Sequence, residues 1–109
     1  MLKDTDVLDI FYEGVELRVD YSEPVDDTKG LYDPEGNEIT IFARNTISTE
    51  DLEMTVLHEF VHARGALRGE DTLEEGIVEQ EAEDTMYHNY DAMLLIYSLY
   101  NEELKCIMN

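Results

Sequence analysis

The sequence predicts an α+β fold, a small, twisted, mostly antiparallel sheet of about three strands packed on two long helices. Three observations carry this. The first half of the chain alternates apolar and polar residues in short runs broken by Gly, Pro and Asp, as half-buried strands do. The second half carries helix start signals of the Ser/Thr-x-x-acid type at Ser48 and at Thr72. At 109 residues the chain has the length of one domain with one core, so any site must be built on these same elements.

Taken in order, Thr5 to Tyr12 spaces Val7, Leu8 and Phe11 as a short helix, with Thr5 as its cap and Gly14 as its stop. Val15, Leu17, Val19 and Tyr21 alternate with Glu16, Arg18 and Asp20, the pattern of a half-buried strand. Ser22 to Lys29, acidic and containing Pro24, reads as a loop. Gly30-Leu31-Tyr32 is a short strand leading into the turn Asp33-Pro34-Glu35-Gly36-Asn37, and Glu38-Ile39-Thr40-Ile41-Phe42 returns as the second arm of a hairpin. The first long helix starts at a Ser48 or Thr49 cap with Glu50 and Asp51 in its positive first turn, runs to about Arg64 and stops at Gly65. A second runs from Thr72, with Glu75 completing its capping box, to about His88, and Asn89 or Asp91 caps a third through Leu104.

Composition narrows the function classes. Twenty-seven acids against seven bases give a net charge of −20, which repels phosphate backbones and argues against direct binding of nucleic acid or an anionic membrane. It leaves a solubilising acidic surface, a basic protein partner, or mimicry of DNA against a nucleic-acid-binding protein. The first residues are acidic where a signal peptide would be basic, and the apolar run Ala92 to Tyr100 is too short to span a bilayer. The single cysteine, Cys106, allows no intramolecular disulfide and reads as a free thiol. A cytoplasmic location is the expectation.

The chemistry sits in His58-Glu59-Phe60-Val61-His62. Histidines four apart on a helix differ by about 40° of rotation, so they project side by side and can grip one ion. Glu59 is turned by about 100° from His58 and stands beside such an ion without ligating it. This is the H-E-x-x-H pattern, in which zinc acidifies a water and the neighbouring carboxylate takes its proton. The rest of the helix is apolar, with Leu52, Met54, Val56, Leu57, Phe60, Val61 and Ala63, leaving only Glu53 and Arg64 as a solvated edge. Histidines and a glutamate on so buried a helix need partners to offset their desolvation.

A catalytic zinc keeps three protein ligands and one open position, so a third ligand is expected downstream. Glu75, Glu79 and Glu83 share one face of the second long helix with Ala82, Met86 and Tyr90. Glu79 is the first choice as ligand, because the loop Gly65 to Asp71 suffices to fold that helix back over the first; Glu75 is its competitor. Glu83, one turn on, would fix a ligand histidine's tautomer. Tyr90 is a candidate phenol for an oxyanion, whereas His88 reads as a surface histidine.

The strand Glu38 to Phe42, the segment Leu57-His58-Glu59-Phe60-Val61-His62-Ala63 and then Glu79-Gln80-Glu81-Ala82-Glu83 together resemble the gluzincin metallopeptidases, in particular the minigluzincins and ImmA/IrrE-type domains. The resemblance covers roughly Val15 to Tyr90. It implies a zincin-like fold, with the sheet packed on an active-site helix and a glutamate helix and an edge strand holding substrate in extended form. It also implies zinc on His58, His62 and Glu79, Glu59 as general base, and a protein or peptide substrate that in ImmA/IrrE-type relatives is often a transcriptional repressor. Two departures stand out. Arg64 occupies a position that is often apolar in the family, leaving that end of the helix more exposed, and Glu83 replaces the usual Asn or Asp. Two other readings compete with an enzyme, namely a zinc-stabilised module that binds a regulator without turnover, and the acidic DNA mimic.

Overall fold

The computed structural model describes residues 1–70 and 74–108, with side chains through Lys105. A mixed three-stranded sheet packs against helices: α1 (Asp4–Tyr12), β1 (Glu16–Asp20), β2 (Gly30–Asp33), β3 (Glu38–Phe42), a 3-10 turn (Ala43–Asn45), α2 (Thr49–Leu67), α3 (Glu75–His88), α4 (Tyr90–Leu99) and α5 (Asn101–Met108). The predicted Thr72 cap and the side chain of Cys106 lie outside the described residues.

The hairpin is as expected, with β2 antiparallel to β3 and Tyr32 opposite Ile39. The sheet as a whole is mixed rather than mostly antiparallel. Its order is β1-β3-β2, and β1 runs parallel to β3 with Leu17 beside Ile39 and Val19 beside Ile41. The reason is the loop between Asp20 and Gly30. Even partly extended, its residues reach past one strand position, so β2 forms at the far edge and β3 returns into the centre. Central placement explains why Ile39, Thr40 and Ile41 are buried in succession instead of alternating.

The helix boundaries follow local chemistry with four revisions. Thr5 lies inside α1, whose cap position is Lys3, and the Asp6 carboxylate accepts from the Lys3 amide at 3.0 Å. Ser48 caps α2 as predicted, its hydroxyl accepting from the Asp51 amide at 3.1 Å, but Asp51 reaches back to the Ile47 amide instead of closing a reciprocal box. Gly65 does not stop α2. It is buried within the helix, which ends beyond Leu67 where Gly69 turns left-handed at φ 74°. The third predicted helix is two. Asn89 caps α4 through the Ala92 amide, but the chain leaves helical geometry at Tyr100, whose ring contacts Phe11 and Phe60 edge-on and whose hydroxyl donates to the Val15 carbonyl at 3.0 Å.

The core lies between the sheet and α2, where Ile39, Ile41, Leu52, Val56 and Phe60 are essentially inaccessible, and continues under α3 and α4 through Val78, Ala82 and Ile96. Among the described residues no helix is long and apolar enough to cross a membrane. Tyr100→Phe removes one half-buried hydrogen bond and keeps the ring contacts, so urea unfolding is expected to show a loss of about 1 kcal/mol. An unchanged midpoint would mean that the phenol does not hold the α4–α5 break.

Candidate metal centre

His58 and His62 of α2 face the first two turns of α3. His58 and His62, one turn apart, lie with ring centroids 5.0 Å apart. Glu75 and Glu79, also one turn apart, meet them from α3. One oxygen of Glu75 is 2.7 Å from His58 Nε2 and the other 3.1 Å from His62 Nε2, so a single carboxylate spans both rings. Glu79 sits 3.0 Å from His58 Nδ1. His58, His62 and Glu75 each offer a ligand atom, all within 4.8 Å of one another, and this group could hold a metal ion. Two imidazoles and a carboxylate are the donor set of many divalent transition-metal sites.

The predicted residues are thus brought together with a different division of labour. Glu75 stands against both Nε2 atoms, while Glu79 contacts the other nitrogen of His58, the contact expected of Glu83. Glu83 is exposed and forms no hydrogen bond to either histidine. Tyr90 is exposed at the start of α4, away from the clefts beside the histidines, and His88 is exposed as expected. Arg64 departs from expectation, because its side chain is only 14% exposed and is held by carboxylates.

Glu59 is the most unusual group at the site. It is 5% exposed and, among the described residues, forms no hydrogen bond or ion pair, yet it lines two adjoining clefts of about 360 and 290 Å³. Burial pushes its carboxyl up to about 7; a charged His58 opposes the shift and Glu75 adds to it. Burial also lowers the pKa of His62, against the pull of Glu75. The first cleft runs between β2 and α2, lined by Gly30, Leu31, Tyr32 and Pro34 on one side and by His58, Glu59 and His62 on the other.

Gly30 is a site residue that sequence reasoning passed over as an ordinary strand start. A Cβ there would lie 2.8 Å from Thr55 Cγ2 and 3.3 Å from Glu59 Cγ, so its lack of a side chain lets β2 close on α2 directly over the glutamate. The signal was a glycine opening a strand pattern, which is suggestive only once the facing helix is known. Comparison with known protein families, curated proteins and solved structures finds no match.

The Glu59 shift sets a pH dependence. Below its ordinary value of 4.5 the acid is protonated folded or unfolded and carries no charge penalty. Between there and about 7 only the unfolded chain ionises, so stability is lost as pH rises through that window. In chelator-treated protein, Glu59→Gln is therefore expected to match the parent near pH 4.5 and to exceed it at pH 8 by up to about 3 kcal/mol in urea unfolding. A difference that does not vary with pH would contradict the assigned environment.

Proposed function

We propose that the chain is a zinc-dependent metallopeptidase of gluzincin type, acting on an extended segment of a protein, and that its zincin-like packing serves that chemistry. One observation carries the reading: His58, His62 and Glu75 converge within 4.8 Å, while the buried Glu59, unpaired among the described residues, stands beside them on a cleft. A structural metal site has no need of such a carboxylate, whereas hydrolysis does. Zinc held there supplies a Lewis acid that acidifies a water and polarises a peptide carbonyl.

The chain's own residues divide the remaining work. His58 and His62 present ring nitrogens, and Glu79 at His58 Nδ1 selects the tautomer that leaves Nε2 free to bind. Glu75 and Glu79 both remain as ligand candidates, with Glu75 favoured by its reach to both rings. Glu59 takes a proton from the attacking water and passes it to the leaving amine, a task suited to a carboxyl whose pKa lies near neutrality. β2 is an edge strand whose residues line the cleft, so its unpaired backbone groups can dock an extended peptide by strand addition. The acidic surface suits a protein partner better than a nucleic acid, in keeping with a regulator as substrate.

Purified protein is expected to bind about one equivalent of zinc. Incubated with a mixture of unstructured peptides, the zinc-loaded parent should generate new termini by mass spectrometry. Glu59→Gln should retain zinc and lower cleavage at least 100-fold. Undiminished cleavage by that variant would rule out the mechanism, and zinc binding without cleavage in the parent would favour a binding module.

A further inference from the structure

The α2–α3 contact carries a second polar contact that the metal centre does not use. Arg64 on α2 lies 2.9 Å from Glu81 on α3, an ion pair by proximity rather than an aligned hydrogen bond, and 3.5 Å from Asp6 on α1. Asp6 is buried and also pairs with Arg68, while Glu81 also pairs with the Met1 amine. Arg64 and Glu81 are themselves less than one fifth exposed. In a chain with seven bases for 27 acids, this concentration of cations is selective.

Helical rotation shows what the pair does. On α2 the buried Val61 and Gly65 form a ridge with His58 and His62 on one flank and Arg64 on the other. On α3 the buried Val78, Ala82 and Thr85 form the matching ridge, with Glu75 and Glu79 on one flank and Glu81 on the other. Apolar ridges resist separation of two helices but tolerate rolling, since small side chains slide past one another. Polar contacts on both flanks fix the roll angle. One flank is the metal centre, which cannot pre-organise itself, and the other is Arg64 with Glu81.

We infer that Arg64 is a positioning residue: by holding Glu81 it sets the rotation of α3 that delivers Glu75 and Glu79 to the two histidines. The inference rests on the metal reading above, and it assigns a purpose to an arginine that sequence patterning places on a solvated edge. Charge alone argues for the opposite effect. Deleting a cation makes the surroundings more negative and should tighten zinc binding, whereas loss of positioning should weaken it.

The test is zinc titration of folded protein, with circular dichroism on each sample. Arg64→Met is expected to weaken zinc binding about 10-fold or more, Arg64→Lys to recover most of it, and Arg68→Met, which removes an equal charge from Asp6 without touching Glu81, to leave it within about 3-fold. Should Arg64→Met not fold, Arg64→Gln removes the same charge with a polar side chain and carries the same expectation. Unchanged or tighter binding in Arg64→Met, or in Arg64→Gln where that variant stands in, overturns the inference. Equal weakening in Arg68→Met overturns it too. Failure of the parent itself to bind zinc would instead sink the metal reading beneath it.

Discussion

The structure turns on the meeting of α2 and α3. Each helix contributes a pair of polar residues one turn apart, and only when the helices lie alongside at the right rotation do two imidazoles face two carboxylates. Much else supports that meeting. The sheet buries the apolar side of α2, Ser48 fixes its start, and Gly65 sits buried within its last turns. Thr85, on the same helix as the carboxylates, accepts a hydrogen bond from the Leu2 amide and ties the chain's first residues to α3.

Electrostatics explains why the arrangement is poised for a cation. Glu75 spans both histidines, Glu79 meets His58, and Glu59 lies within electrostatic reach of His58 and Glu75, in a chain of net charge −20. Like charges a few ångströms apart repel by several kcal/mol at the effective dielectric of a protein surface. Protonation of Glu59 or a bound cation relieves this; burial is the main cause of the raised Glu59 pKa, and the nearby Glu75 charge adds to it. The exposure of Glu75 and Glu79 gives a cation a route in, while burial keeps the Glu59 carboxyl away from bulk water.

Much of this was legible in the residues. The histidine pair and its glutamate are fixed by local periodicity, so their shared face follows from helix geometry alone. The β2–β3 hairpin is likewise local and as expected, and of the paired cap candidates Ser48 or Thr49 and Asn89 or Asp91 the structure uses Ser48 and Asn89. What escaped was set by tertiary contact. The parallel β1–β3 pairing depends on where a loop delivers β2, and the break at Tyr100 depends on a phenol reaching Val15 across the fold. The placement of Glu75 and Glu79 depends on the rotation of α3, which no pattern within α3 specifies. Arg64 looked solvated because its counter-charges lie on other elements.

The central claim is a metal centre built from both helices, and X-ray absorption at the zinc edge of loaded protein tests it most directly. The account predicts a mixed shell of two imidazole nitrogens with carboxylate oxygen and water, at distances of about 2.0 to 2.2 Å. Glu75→Gln combined with Glu79→Gln should thin the oxygen part of that shell while both imidazoles remain. A shell without imidazole, or zinc that washes away from the parent at stoichiometric loading, would contradict it.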